Sequence, residues 1–206
     1  IGISLSAIGT IWLFTRIFDA ITDPLIGYWS DKTNTRWGRR RIWMVASVPI
    51  LMISVYNLFF PNEETVTATD LFIWLAMFWL GWTMLLIPYY AWGAELSPDY
   101  HERSTITAWR SWLGMFGNVV SKSVPTLALF FFAYGGTREV TQMIGVFMLI
   151  LIPLTILLTT TNVSEKMDYK PTYIPILKGI KIMWANLPFR RLIFAFFLYS
   201  TATAIS

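Results

Sequence analysis

The chain contains no cysteine and a single histidine among its 206 residues. Without cysteine it is not a disulfide scaffold. Charge is scarce as well: 14% of residues are charged, where a soluble domain carries about 25%. Against these shortages, 55% of residues are apolar and 17% aromatic, with 11 tryptophans. A soluble chain of this length builds one good core or two small ones. Neither hides this much apolar and aromatic surface while leaving so few charges to cover the outside. The composition therefore excludes an ordinary soluble enzyme and a disordered chain, and leaves a membrane protein. The net charge of +4, from 16 Lys and Arg against 12 Asp and Glu, suits loops beside a bilayer better than a nucleic-acid surface, so no nucleic-acid partner is expected.

A helix needs about 20 mostly apolar residues to cross the hydrocarbon. Runs of this kind cover residues 3–30, 42–60, 71–96, 105–134 and 140–161, and a sixth starts near residue 189. Residue 1 is Ile, and residues 1–18 are already apolar with no basic leader, so this stretch reads as membrane helix rather than signal peptide. The chain ends inside the apolar run 192–206, and is expected to be an interior piece of a longer protein. In residues 173–185, Ile176, Leu177, Ile180, Met183 and Trp184 alternate with Lys178 and Lys181, the pattern of a basic amphipathic helix on a membrane surface.

Basic residues alternate from loop to loop. Segment 31–41 holds Lys32, Arg36, Arg39, Arg40 and Arg41, and segment 162–191 holds Lys166, Lys170, Lys178, Lys181, Arg190 and Arg191. The loops 61–70 and 135–142 hold only Arg138, together with Glu63, Glu64, Asp70 and Glu139. Eleven basic residues on one side against one on the other predict a multi-pass protein of the cell membrane with the Arg-rich loops in the cytoplasm. The short connection 97–104, with Asp99, His101, Glu102 and Arg103, falls on the same side, where His101 reads as a solvated residue rather than a ligand.

A few charges stand where lipid opposes them. Each costs about 2.5–3.5 kcal/mol on insertion scales, so it faces a cavity or a partner. Arg16, Asp19 and Asp23 lie within about 60° of one another on a helix, on a stripe continued by Trp12 and Gly27. Two carboxylates four residues apart repel when both are ionised. They are tolerated when a cation sits between them or one takes a proton, which is the chemistry of a Na⁺ or H⁺ coupling site. The plainer reading is an ion pair of Arg16 with Asp19 or Asp23 that clamps helices, but one Arg leaves the second carboxylate without a partner. In the third run Thr83, Pro88, Tyr89, Tyr90 and Trp92 offer a hydroxyl, a freed backbone carbonyl and aromatic planes, as a sugar ring would use; interfacial aromatic residues are the alternative. The fourth carries Arg110, then Gly114, Gly117 and Ser121 at helical spacing, then Lys122 near mid-membrane with Asn118 one turn before it. Lys122 is placed to pair with an acid of the first helix or of another.

Two stretches resemble a known family. The first is Arg16-Ile17-Phe18-Asp19-Ala20-Ile21-Thr22-Asp23-Pro24 with Gly27, Asp31 and Arg36-Trp37-Gly38-Arg39-Arg40-Arg41. The second is Ile87-Pro88-Tyr89 with Ala94-Glu95-Leu96-Ser97-Pro98-Asp99-Tyr100, Arg103 and Ala108-Trp109-Arg110. In order and spacing they resemble helix two, helix four and the following loops of the glycoside–pentoside–hexuronide:cation symporters (melibiose carrier-like) of the major facilitator superfamily. The resemblance implies an all-α polytopic bundle of which this chain is slightly under half, covering about helices 2–7 of twelve. Residues 1–161 would form the N-terminal bundle, 162–187 a central cytoplasmic loop with its amphipathic helix, and 188–206 the start of the second bundle. It further implies a sugar:cation symporter working by alternating access, with Asp19, Asp23 and Thr83 at the coupling ion and Na⁺ possible at the two aspartates. Arg110, Tyr90, Tyr89, Arg16 and Lys122 would stand at the sugar. Gly27, Asp31, Gly38, Arg39, Arg40, Arg41, Glu95, Asp99 and Arg103 would form a cytoplasmic gate, whose exposed charge pairs, worth about 0–1 kcal/mol each, suit a reversible latch. No cofactor beyond the coupling ion and no particular oligomeric state is implied.

One position departs from the pattern: Leu86 stands where the melibiose carrier has an aspartate serving both ion and sugar. Its loss points to coupling by H⁺, or to a third acid supplied from elsewhere. A lysolipid transporter of the same branch and a non-transporting membrane scaffold are the alternatives. A Mg²⁺-dependent intramembrane enzyme is disfavoured, since such sites use two Asp arrays and only Asp19 and Asp23 are present, followed by Pro24.

Overall fold

The computed structural model describes residues 4–62, 66–132, 136–165 and 176–205, and every regular element among them is an α-helix. They are α1 (Leu5–Lys32), α2 (Arg41–Phe59), α3 (Ala68–Glu95), α4 (Tyr100–Phe132), α5 (Thr137–Asn162), α6 (Ile176–Ala185) and α7 (Leu187–Ile205). Each apolar run has become a helix, and the differences lie at the starts. α3 begins before Leu71 because Thr67 and Asp70 form a capping box: the Thr67 hydroxyl accepts the Asp70 N–H at 3.2 Å and the Asp70 carboxylate accepts the Thr67 N–H at 3.0 Å. α4 begins at Tyr100 rather than 105 because Asp99 accepts the Glu102 N–H at 2.9 Å on its side chain. Hydropathy reads such polar caps as loop.

The chain forms two compact units, Ile1–Tyr169 with α1 to α5 and Lys170–Ser206 with α6 and α7. The structure thus groups the amphipathic helix with α7. Residues 173–175 of its expected span lie outside the described residues.

In the first unit α3 packs against α1 on one side and α2 on the other, α2 packs against α5, and α4 makes smaller contacts with α3 and α5. Met44, Trp92 and Ile156 join α2, α3 and α5 in one buried cluster. Close approach of α2 and α3 depends on Gly81, where a methyl group would come within 2.9 Å of Leu51 Cγ. Ser47 and Ser54, fully buried on α2, donate their hydroxyls to the carbonyls of Met44 and Ile50 at 2.6 and 2.7 Å, so no polar group is left unmatched there.

Among the described residues, length and composition alone mark α2, α3 and α5 as able to cross a membrane. α1 and α4, with 28 and 33 residues, have the length as well. α1 carries Arg16, Asp19 and Asp23, and α4 carries Arg110 and Lys122.

Candidate functional site

α1 and α3 meet at the acidic stripe. Asp23 Oδ1 accepts the Thr83 hydroxyl at 2.9 Å, joining the two helices. One turn earlier Asp19 is buried at 8% exposure. Its Oδ2 faces Arg16 Nη1 at 3.4 Å, and its Oδ1 has no hydrogen-bond partner. The two carboxylates are thus served differently, one by a neutral hydroxyl and one by a guanidinium at a long distance. A buried carboxylate oxygen without a donor is costly. Among the described residues no group of three or more His, Asp or Glu is placed to hold a metal ion; the arrangement offers two carboxylates and a hydroxyl.

Arg16, its side chain 45% exposed, is engaged by aromatic rings as well as by Asp19. Its guanidinium lies over two tryptophan rings, 4.6 Å from the Trp12 centroid and 4.2 Å from that of Trp79. Aromatic faces attract a cation and hold a planar guanidinium flat, which fixes Arg16 beside Asp19.

Further along α3, Tyr89 and Tyr90 share a cavity of about 790 Å³ with Arg110, Ser111, Leu113 and Gly114 of α4. The Arg110 guanidinium sits 4.7 Å above the Tyr90 ring. A methyl group at Gly93 would approach Arg110 Nη1 to 3.3 Å, so the small residue one turn beyond Tyr89 and Tyr90 makes room for the guanidinium. Cation, phenol hydroxyls and ring faces meet in one concave space, a suitable surface for a polar ring. Leu86 is half-buried on α3 between Thr83 and this cavity in sequence. Lys122 is exposed on α4, and no ion pair joins it to Asp19 or Asp23 among the described residues. Lys122 and Arg16 are therefore not brought into the aromatic cavity with Arg110, Tyr89 and Tyr90.

At the other end of the bundle the Arg-rich loop forms a charge cluster. Arg40, 4% exposed, reaches Asp31 at 2.6 Å, Glu95 at 2.9 Å and the Ser30 hydroxyl at 3.0 Å. Arg39 reaches the same Glu95 oxygen at 2.7 Å. A methyl group at Gly27 would meet Ile87 at an ordinary 3.8 Å. Glu165, three residues beyond α5, accepts the backbone N–H groups of Arg39 and Arg40, both at 2.9 Å, and of Arg41 at 3.4 Å. A carboxylate on the opening N–H groups of α2 meets unpaired donors and the positive end of the helix dipole. Arg41 Nη2 donates to the Val163 carbonyl beside it. Gly38 makes the turn possible: its φ is +109°, and a methyl group there would collide with the Glu165 carboxylate.

Asp99 and Arg103 stay outside the cluster. They serve the first turn of α4, where Arg103 Nε donates to the Asp99 carbonyl at 3.4 Å and Ser97 bonds Glu102. Sequence reasoning passes over Glu165, Trp79 and Gly93. The available signals are one of two acids in a mostly basic segment, a Trp one turn before Thr83, and a Gly one turn after the tyrosines.

Known proteins share this chain's pattern. The family described as "MFS/sugar transport protein" matches residues 1–206. The isoprimeverose transporter of Lactiplantibacillus pentosus is 30% identical over 210 residues, covering 96% of this chain and 43% of that protein. The inner membrane symporter YicJ of Escherichia coli (strain K12) is 26% identical, covering 90% and 41%. The sodium-dependent lysophosphatidylcholine symporter 1 of Gallus gallus is 32% identical over 111 residues, covering 53% and 21%. The chain spans about two fifths of the length of the first and second of these.

Proposed function

The chain belongs to the MFS/sugar transport proteins, in the glycoside–pentoside–hexuronide:cation symporter branch of the major facilitator superfamily, and from that premise we propose that it supplies the coupling-ion and sugar contacts of a symporter for a glycoside, pentose or uronide. Its relatives are transporters rather than enzymes. The transport cycle proposed is alternating access around a site near mid-membrane.

The observation that carries the reading is the buried Asp19 Oδ1 without a donor, one turn from an Asp23 bonded to Thr83. A cation or a proton completes this arrangement, and either one makes the acidic stripe tolerable at membrane depth. Its charge state then depends on the ion, so a bound ion changes the electrostatics of α1 and of the helices packed on it. The cavity between α3 and α4 is the sugar's place in this reading, with Arg110 donating to ring hydroxyls and Tyr90 stacking beneath. The charge cluster of Asp31, Arg39, Arg40 and Glu95 is the cytoplasmic gate, and residues 1–161 act as one bundle of the carrier.

The test is uptake by the full-length protein in proteoliposomes with Na⁺ and H⁺ gradients imposed separately. Asp19→Asn and Asp23→Asn are expected to abolish gradient-driven accumulation of a labelled sugar. Accumulation surviving both replacements overturns the coupling assignment. With three acidic ligands reduced to two at Leu86, the H⁺ gradient is the expected driver; a Na⁺ requirement would show that another acid completes the site. A lysolipid is the second reading, favoured by the likeness to a lysophosphatidylcholine symporter. It is separated by the same vesicles, in which a lysolipid but no sugar would then be moved.

A further inference from the structure

The unit Lys170–Ser206 contains five basic residues and no acid. Its two helices are joined by the single residue Asn186. The Asn186 side chain accepts the Phe189 N–H at 3.2 Å and its backbone N–H bonds the Met183 carbonyl at 3.1 Å, which closes α6 and opens α7 at one corner. On α7 the residues Leu187, Arg190, Arg191 and Phe194 follow at spacings of three, four and seven from the first, so they share a face. With Trp184 of α6 and Phe197 they line a cavity of about 560 Å³.

That cavity has two chemistries. One is a pair of adjacent, exposed arginines with no carboxylate in their own unit to pair with. The other is an apolar, aromatic wall. Arginine forks match phosphate oxygens bidentately. A free phosphate needs only the cations, whereas a phosphate attached to glycerol and acyl chains uses the wall as well. Both arginines stand at the start of α7, just before the apolar run 192–206, where a membrane surface would lie. Lys178 and Lys181 extend the positive charge along α6. We propose that this corner is a binding site for the headgroup phosphate of an anionic phospholipid, in the leaflet on the side of the Arg-rich loops. Arg190 and Arg191 hold the phosphate, and Trp184, Leu187 and Phe194 lie against the glycerol and upper acyl chain.

The test uses the purified full-length protein in phosphatidylcholine nanodiscs, with spin-labelled phosphatidylglycerol or phosphatidylcholine as the probe. The wild type is expected to retain phosphatidylglycerol preferentially. A charge near an anionic surface is worth about a fivefold change in association, so Arg190→Gln with Arg191→Gln should lower that preference by about 25-fold. Arg190→Lys with Arg191→Lys should recover part of it, and Arg138→Gln, on the opposite loop, should leave it unchanged. An undiminished preference in the folded glutamine variant overturns the proposal. If that variant does not fold, the wild type still decides: no discrimination between the two lipids, or loss of the bound lipid to millimolar inorganic phosphate, also overturns it.

Discussion

At the residue scale, the candidate site turns on unequal service to two carboxylates. Thr83 gives Asp23 a hydroxyl at 2.9 Å, while Asp19 has Arg16 at 3.4 Å and one oxygen with no donor. A hydrogen bond to a charged group contributes about 1.5–3 kcal/mol. Thr83→Val keeps the side-chain shape, removes the donor and leaves Asp23 without its contact to α3. It should raise the half-saturation concentration of the coupling ion about tenfold, the low end of that range, with a smaller change in maximal rate. Thr83→Ser should behave almost as wild type. Uptake measured against the coupling-ion concentration separates the two, and equal effects of both variants would show that the hydroxyl does not act there. Arg16 belongs to the same balance. Its guanidinium lies over the rings of Trp12 and Trp79 and puts a positive charge beside Asp19. Arg16→Lys keeps the charge but loses the planar stacking, and should weaken the hold on Asp19 and change the pH at which uptake is half-maximal, while Trp79→Leu should mimic it in direction. A pH profile of uptake unchanged in both variants would mean that the ring contacts do not tune the site.

At the scale of elements, α2 is held at its start by a residue from beyond α5. Glu165 accepts three successive N–H groups of the Arg39–Arg41 turn, and the positive φ of Gly38 lets the turn approach it. Gly38→Ala meets both a conformational cost of about 1–2 kcal/mol and a collision with the Glu165 carboxylate. Glu165→Ala removes the acceptor but also the obstacle. The double variant should therefore be less destabilised than the sum of the two single ones, since the residues touch. Thermal unfolding midpoints of the detergent-solubilised protein give the comparison. Strict additivity would mean that Glu165 does not sit against Gly38. The same contact fixes Arg39 and Arg40 in place for Glu95, so the ends of α1, α2, α3 and α5 meet at one polar cluster.

At the scale of the whole molecule, the helices were legible because lipid imposes one strong rule, long apolar runs, and α2, α3 and α5 obey it plainly. Their caps were less legible, since Thr67–Asp70 and Asp99–Glu102 look like ordinary polar loop until backbone N–H groups are placed beside them. The acidic stripe on α1 was legible from a period of 3.6 residues alone. Glu165 was not: its partners are backbone amides about 125 positions away, and amides leave no mark in a residue pattern. Lys122 was singled out by depth along α4, but depth does not say which way a helix face turns, and its side chain is exposed. Orientation in the membrane rests on the distribution of basic residues, eleven against one. The absence of cysteine from these 206 residues makes it directly measurable. A single cysteine at Asn34, exposed between α1 and α2, or at Asn62, exposed between α2 and α3, is introduced into the full-length protein with any other cysteine replaced. Intact cells are then treated with a membrane-impermeant maleimide. Asn62→Cys should label in intact cells and Asn34→Cys only after permeabilisation. The reverse pattern would put the Arg39–Arg40–Glu95 cluster on the outer face, and would move the gate, and the leaflet in which Arg190 and Arg191 meet lipid, to the other side with it.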